Sequence, residues 1–391
     1  MSGSRPHEVI AAADDAAETE RRTSYLELFF DLVFVFAITE VTTLILDKDG
    51  GFVRAALILG LIWWAWSTYA WLTNAIDVEQ TAVRIAVLVA AAASFFMAIS
   101  VPQAFGATGI WFALTYFVVR SLMLVLYLLG ARDDPARRAA MARLAPWFVA
   151  GPVLVIVGGL LDEPARSLLW TASLMVDIYG TFRAASAGWR VSPSHFAERY
   201  SLFIIIALGE SLVAIGVTAA DRTFDPLLVT AVAVSVAGAM TLWWAYFDFA
   251  ARGMERALRL AHGQARSDLA RDMFTILHYP IVLGIILYAV AAKTAVGHPL
   301  EPLAETGLFA LAAGVAAFLL GSVAVRWRGI HVVARERLAA GIVIPVGLVI
   351  VRGLPAVALM AVAVGAIALA LVIETIRVQA FRAMIRADPP A

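Results

Sequence analysis

The sequence predicts an all-α, polytopic integral membrane protein with about twelve transmembrane helices in two parallel six-helix repeats. Three observations predict this fold: the composition, the number of long apolar segments and a repeat between the two halves. Of the 391 residues, 62% are hydrophobic and 15% are charged, and the mean hydropathy is +0.84. Soluble proteins are roughly 45–50% apolar and about 25% charged. A soluble chain of this size cannot bury so much apolar surface, so its solvent is lipid and a soluble enzyme is excluded.

Charge balance and cysteine content exclude further classes of protein. The 30 basic residues balance the 30 acidic residues, so no net positive field attracts nucleic acid. The chain contains no cysteine, which excludes disulfides, thiolate metal sites and cysteine nucleophiles. We expect no metal site and no cofactor.

The candidate membrane spans are apolar segments of the length that crosses a bilayer, which is about 20 residues. The fifth and eleventh are the shortest, and they contain Pro152 and Pro345. The twelve predicted spans are 25–46, 55–76, 84–105, 111–130, 145–161, 166–186, 199–219, 227–250, 273–293, 305–325, 338–352 and 354–376.

The distribution of basic residues predicts the orientation of the spans. With the N-terminus inside, 23 of the 30 Lys and Arg residues lie in the tails and the even-numbered loops, and six lie in the odd-numbered loops. Cytoplasmic loops of membrane proteins carry this excess. Both termini are therefore predicted to be cytoplasmic. Residues 1–24 are polar and have no cleavable signal, so they are predicted to form a disordered cytoplasmic tail.

The two halves of the chain resemble each other in order. WWAW at 63–66 returns as WWAY at 243–246, and SYLELFFDLVFVFAITE at 24–40 aligns with SHFAERYSLFIIIALGE at 194–210. The second alignment pairs Glu40 with Glu210. Because six is even, both halves begin on the same side of the membrane and form a parallel repeat, an arrangement found in transporters. The predicted units are a first repeat at 25–190, a second repeat at 191–380 and a cytoplasmic C-terminal tail at 381–391.

The repeated Trp pairs, at 63–64 and 243–244, fall near the middle of their spans. Bulky packing is the favoured interpretation. The alternative is an aromatic-lined pocket that the two halves share.

Carboxylates inside the first span are the first candidate functional residues. A charge at the bilayer centre costs about 2.5–3.5 kcal/mol on insertion scales, so its presence needs a reason. Glu27 and Asp31 are four residues apart and share one helix face. Glu40 lies roughly 22 Å into the span, on about the opposite side of the helix from Asp31.

The seventh span carries the second set of candidates. His195, Glu198 and Arg199 lie at its cytoplasmic end, and His195 shares a face with both others. Glu210 lies about 16 Å beyond Arg199, near the midplane, between Gly209 and Ser211. Glu210 is the first choice for a group that titrates or coordinates a cation.

Further ionisable residues at membrane depth are Arg120, Asp177, Asp248 and His278. Arg120 must pair with an acid, and the sequence leaves Glu210, Asp31 and Asp177 as alternatives. His278 precedes a proline within a span, where a structural histidine and a proton carrier are equally expected. Polar residues in a helix bundle also serve as interhelical contacts, which is the favoured role for Glu27, Arg199 and Asp248, whereas a functional role is favoured for Glu210 and Asp31.

Two long motifs resemble a known family. ELFFDLVFVFA at 27–37 and HFAERYSLFIIIALGES at 195–211 closely resemble the bacterial low temperature requirement A proteins. The resemblance covers about residues 22–380 and implies a multi-span inner-membrane protein. The matching positions include Glu27, Asp31, His195, Glu198, Arg199 and Glu210. The family carries no established chemistry, so the resemblance implies a class and no mechanism.

The function expected first is a secondary transporter or ion pathway that uses buried carboxylates between the two repeats. The catalytic motifs GxSxG and HExxH and the Walker loop are missing, so we expect no enzyme and, without an ATP site, ion-coupled or passive transport. The alternatives are a membrane enzyme acting on lipid headgroups, with His195, Glu198 and Arg199 at the inner headgroup layer, and a non-catalytic sensor or structural component. The expected partners are the lipid bilayer and a small solute or ion, not nucleic acid, and a homo-oligomer is left open.

Overall fold

A computed structural model of the chain describes residues 22–46, 51–183, 191–248 and 250–379. These residues are helical, with short connecting loops and no β-strands. The predicted tails at 1–24 and 381–391 lie outside the described residues, apart from residues 22–24.

Six long helices form the described part of the first half of the chain. A short 3₁₀ helix, Val101–Gln103, follows the third of them. The six are α1 (Tyr25–Ile45), α2 (Gly51–Ala75), α3 (Thr81–Ser100), α4 (Gly109–Gly130), α5 (Pro135–Gly159) and α6 (Ala165–Arg183).

The second half contains six long and two short helices. A seven-residue π-helix, Ala270–Ile276, joins the second short helix to the long helix that follows it. The eight are α7 (Pro193–Ala220), α8 (Pro226–Phe247), α9 (Ala250–Leu260), α10 (Gly263–Leu269), α11 (His278–Gly297), α12 (Glu305–Ile330), α13 (Arg335–Ile350) and α14 (Ala356–Arg377). Each of the twelve predicted spans overlaps one of the long helices within the described residues.

The helices begin where the sequence supplies N-terminal caps. The Ser24 side chain accepts a hydrogen bond from the Glu27 N–H, and the Glu27 carboxylate accepts from the Ser24 N–H, which completes a capping box. Asp134 and Asp225 cap α5 and α8 through their side chains, and in both cases a proline follows. Proline suits this position because it has no N–H to leave unpaired.

Ten of the helices in the described residues are long and apolar enough to cross a membrane. The helix α5 qualifies because it begins ten residues before the predicted start at 145 and is 25 residues long. The two that do not qualify are α6, which carries Arg166, Asp177 and Arg183, and α13, which has only 16 residues. Ten helices in the described residues are therefore candidate membrane spans, and the full count of twelve in two repeats stays a prediction.

The centre of the bundle is formed by α2 and α11. Of the 18 most apolar consecutive residues of α2, 89% are buried. The corresponding fraction for the segment that contains α11 is 72%. By contrast, the outer helices expose large apolar side chains such as Phe96, Trp111 and Val343, which suit a lipid surface. Consequently, polar side chains on α2, and on any helix face turned toward it, lie deep in protein.

Candidate functional site

The central feature of the seam between α1 and α7 is a group of four ionisable side chains, Glu27, Asp31, His195 and Arg199, here called the charge cluster. All four side chains are fully buried or nearly so. Arg199 Nη1 lies 2.8 Å from Glu27 Oε1, and its Nη2 lies 2.7 Å from Asp31 Oδ1. The i, i+4 spacing within each helix places both acids of α1 against both bases of α7.

Both carboxylate oxygens of Glu27 accept hydrogen bonds. Oε1 accepts from His195 Nε2 at 3.0 Å as well as from Arg199, and Oε2 accepts from the N–H and the hydroxyl of Ser24 at 2.8 and 2.9 Å. The residue is thus a helix cap and an ion-pair partner at the same time.

Only one of the two carboxylate oxygens of Asp31 has hydrogen-bond partners in the described residues. Its Oδ1 accepts from the indole N–H of Trp66 at 2.7 Å and from Arg199, and its Oδ2 is buried with no hydrogen-bond partner in the described part of the chain. An unpaired buried carboxylate oxygen is costly, so Oδ2 is the atom of the charge cluster that is open to a proton or a cation.

Hydrogen bonds fix the protonation of His195. The Ser192 N–H donates to Asn74 Oδ1 at 3.1 Å, so the amide group of Asn74 faces the histidine and donates to its Nδ1 at 2.9 Å. Nδ1 is therefore an acceptor, and the single ring proton is on Nε2, where it is donated to Glu27. In this arrangement His195 is neutral.

Glu198, which the sequence grouped with His195 and Arg199, lies outside the charge cluster. Its side chain is exposed, and its Oε2 accepts from the N–H and hydroxyl of Thr23, both at 2.9 Å. The i+3 spacing from His195 turns Glu198 to the exposed rim of the seam, whereas the i+4 spacing turns Arg199 inward; a shared functional role for the three residues stays a prediction.

Glu210 forms a separate group at the other end of the seam. It is buried, and Thr39, Glu40 and Lys293 are close enough to interact with it through a hydrogen bond or by charge. Asp31 lies nine residues before Glu40 on the same helix, or about 13 Å along the axis at 1.5 Å per residue. The two favoured acids therefore occupy two groups along one seam.

Arg120 has a single acid partner, Asp177 on α6. Two parallel hydrogen bonds of 2.9 Å join its Nη1 and Nη2 to the two carboxylate oxygens, and both side chains are fully buried. Tyr116 accepts from Nη1 at 3.0 Å, and the Phe148 ring lies 5.2 Å from the guanidinium carbon. Of the three acids that the sequence left open, the fold selects Asp177.

His278 is a satisfied structural histidine at the end of the π-helix. Its Nδ1 lies 2.7 Å from the Met273 carbonyl oxygen, so Nδ1 carries the proton, and its Nε2 accepts from the Tyr246 hydroxyl at 2.8 Å. The ring stacks on Phe274 at 4.9 Å. With both nitrogens occupied, the bonding supports the structural interpretation over a proton carrier.

Sequence reasoning missed a third buried ion-pair group. Glu374 on α14 bonds Arg326 of α12, and it accepts from Arg337 Nε at 2.7 Å. All three are buried. The ETIR motif that begins at Glu374 was the sequence feature that could have indicated this group. Arg326 and Arg337 lie at the edges of predicted loops, where basic residues are common. Three α2 partners of the charge cluster were also missed: Trp66, Asn74 and Thr73, whose hydroxyl accepts from Arg199 Nη1 at 3.1 Å. No spacing on α2 predicts these contacts.

The described residues contain no group of three His, Cys, Asp or Glu side chains that could hold a metal ion. The two Trp pairs differ: Trp63 and Trp64 are buried, whereas Trp243 and Trp244 are about half exposed.

Comparison with known proteins agrees with this geometry. A model of the family described as bacterial low temperature requirement A protein (LtrA) matches residues 22–374, which span the charge cluster and the Glu210 group. The chain belongs to the LtrA family. The chain is also similar to the uncharacterized protein RA0937 of Rhizobium meliloti (strain 1021), with 34% identity over 324 residues that cover 78% of this chain and 76% of that protein. Membership in the LtrA family and the ten apolar helices establish a multi-pass membrane protein.

Proposed function

We propose that the protein is a secondary transporter or ion pathway in which the seam between α1 and α7 takes up and releases a proton or cation. The observation that carries the proposal is the unpaired, buried Oδ2 of Asp31 within the charge cluster. We further propose that the chain lies in the bacterial inner membrane with both termini in the cytoplasm, as its basic residues indicate.

The charge count of the cluster supports a one-charge site. Glu27 and Asp31 contribute two negative charges, Arg199 contributes one positive charge, and His195 is neutral in the observed hydrogen-bond arrangement. One negative charge is therefore left over in a dry environment, where an uncompensated charge is costly. One proton or monovalent cation on Asp31 brings the cluster to neutrality.

The geometry favours Asp31 over His195 as the acceptor. Protonating His195 Nδ1 would require the Asn74 amide to turn and break its bond with the Ser192 N–H. Protonating Asp31 Oδ2 breaks nothing, because that atom has no partner in the described residues. A change at Asp31 acts directly on Arg199 and Trp66, which bridge α1 to α7 and α2.

Contacts along the seam support a parallel two-fold repeat. Glu27 meets His195, Phe34 meets Phe203 and Glu40 acts on Glu210, so the two helices run in the same direction with a nearly constant offset. The sequence repeat pairs 24–40 with 194–210, so residues that meet across the seam are close to equivalent. Self-matching contacts are what a two-fold axis produces.

The alternative of an enzyme acting on lipid headgroups needs His195 and Arg199 to reach those headgroups. Both are fully buried in the seam, and we do not propose an enzymatic role for them. We also propose no cofactor.

The test is proton and cation flux into proteoliposomes, followed with a trapped pH dye and a panel of cations. We expect Asp31→Asn and Glu210→Gln to abolish flux without lowering expression, because each removes a charge and keeps the shape. Glu198→Gln is the matched control on an exposed carboxylate of the same seam and should retain flux. Flux that survives both Asp31→Asn and Glu210→Gln would overturn the proposal.

A further inference from the structure

A cavity of about 60 Å³ lies between the two halves of the chain. Residues from α2, α4, α5 and α6 form most of its wall, and Arg271 and Thr275 of the π-helix close it from the second half. The charge cluster and the Glu210 group are not part of its lining. The cavity is therefore separate from both groups, and its own side chains determine what it can bind.

The wall is aromatic with a few hydroxyl groups. Trp64, Trp71, Tyr127 and Phe148 supply ring surface to the cavity. Thr275 ties the two halves together here, since its carbonyl oxygen accepts from Trp63 Nε1 at 2.7 Å and its hydroxyl accepts from Trp71 Nε1 at 2.8 Å. A π-helix in this position is notable because π-helical segments occur frequently at functional sites.

Three hydroxyl groups in the wall donate their protons to backbone carbonyl oxygens. Ser67 donates to the Trp64 carbonyl, Thr68 to the Ala65 carbonyl and Thr181 to the Asp177 carbonyl, at 3.1, 2.8 and 2.9 Å. Their lone pairs remain, so toward the cavity these three groups are hydrogen-bond acceptors.

One donor in the wall lacks a hydrogen bond of normal geometry. The indole Nε1 of Trp64 is buried without such a bond in the described part of the chain, and the Asp177 carboxylate is near enough to accept a weak one. An indole N–H can only donate. A molecule in the cavity that offers an acceptor would satisfy it.

No uncompensated charge faces the cavity within the described residues. Arg271 is the charged residue of the lining, and it is paired with Asp268 at 3.0 Å and with Asp272 at 2.7 Å. Beyond Phe148 and Thr181, the Arg120–Asp177 pair is also neutral as a unit. A charged molecule would therefore lose its hydration without gaining a partner.

We propose that this cavity binds a small uncharged organic solute that carries both a hydrogen-bond acceptor and a hydrogen-bond donor, such as a short primary amide. The volume supports a molecule of a few non-hydrogen atoms, since it is less than half that of an engineered cavity of about 150 Å³ that binds benzene. This inference rests on the proposed function: we take such a solute to be the class of substrate that the protein carries across the membrane.

The binding experiment uses three probes with one carbon skeleton: propionamide, propionate and n-propylamine. Purified full-length protein in detergent is examined by saturation-transfer NMR, which detects weak binding and needs no ion gradient. We expect saturation transfer to propionamide and at least a fivefold smaller effect for the two charged probes. Equal transfer to all three would overturn the proposal.

Trp64→Phe removes the indole donor and keeps the ring. It should weaken the propionamide signal at least fivefold, whereas Trp111→Phe, which changes a 63% exposed Trp on α4, should leave it unchanged. If Trp64→Phe does not fold, Thr181→Val serves instead, because it removes one acceptor at constant shape. Wild-type signal in the folded variant would overturn the proposal.

This experiment separates the two proposals. Asp31→Asn should retain propionamide binding while losing flux. Binding without any proton or cation flux would overturn the transport proposal and leave the cavity as a binding site only, whereas flux without propionamide binding would overturn the cavity proposal alone.

Discussion

Arg120 shows what burial demands of a single residue. A guanidinium within an apolar span requires a carboxylate, and this requirement is visible in the sequence. The identity of the carboxylate is not visible, because Asp177 lies 57 residues away on a different helix and at no regular spacing. The same holds for Asp31, whose partners Trp66 and Arg199 come from α2 and α7.

The Arg120–Asp177 pair provides a prediction about stability. Arg120→Gln leaves Asp177 buried without its charge partner, and breaking a buried pair in this way costs about 3–5 kcal/mol. We expect a clearly lower midpoint of thermal unfolding in detergent.

Arg84→Gln is the control for this prediction. Arg84 pairs with Glu79 at 3.1 Å, but the two side chains are 52% and 66% exposed, and exposed pairs contribute about 0–1 kcal/mol. Its midpoint should stay near that of the wild type. Equal midpoints for Arg120→Gln and the wild type would show that the buried pair contributes nothing to stability.

At the scale of elements, close contact between α11 and α12 depends on two glycines. A Cβ at Gly284 would lie 2.6 Å from the Phe318 backbone nitrogen and 2.7 Å from the Gly314 carbonyl oxygen. Small residues allow helix backbones to approach in this way, and in membranes this packing replaces the hydrophobic effect as the source of association.

Gly284→Ala should therefore destabilise the protein, by about 1–3 kcal/mol for an overpacked contact. The measurement is thermal unfolding in detergent at matched lipid content. Gly365→Ala on α14 is the control, because a Cβ there meets nothing within 4 Å. That control should be neutral or slightly stabilising, as Ala favours a helix over Gly by roughly 0.5–1 kcal/mol. A Gly284→Ala protein as stable as the control would contradict this account of the α11–α12 contact.

At the scale of the whole molecule, the seam between α1 and α7 joins the two halves. The two helices run in the same direction and bring the charge cluster to one end and the Glu210 group to the other. Parallel helices that each begin one half of the chain require an odd number of crossings between them, which the five helices α2–α6 would supply. The position of α6 therefore decides the topology, since its hydropathy alone does not qualify it as a span.

The topology can be measured directly because the chain has no native cysteine. With twelve spans, a membrane-impermeant maleimide should label Glu79→Cys and Asp133→Cys from the cytoplasm. It should label Asp162→Cys and His298→Cys from the periplasm. Cytoplasmic labelling of Asp162→Cys would contradict the predicted orientation or the predicted order of spans.

Composition and hydrophobic pattern alone determined that the chain is a multi-pass helical membrane protein, because each helix must satisfy its backbone internally and present an apolar surface to lipid. The motifs around Glu27 and His195 also identified the family correctly. Only the tertiary structure decided which charges meet. In the structure, Glu27 and Asp31 contact His195 and Arg199, and Glu198 lies at the rim of the seam. Asp177 is the acid that pairs with Arg120. Such pairings depend on how helices distant in sequence are packed and rotated against each other. The hydropathy of each segment does not determine that rotation.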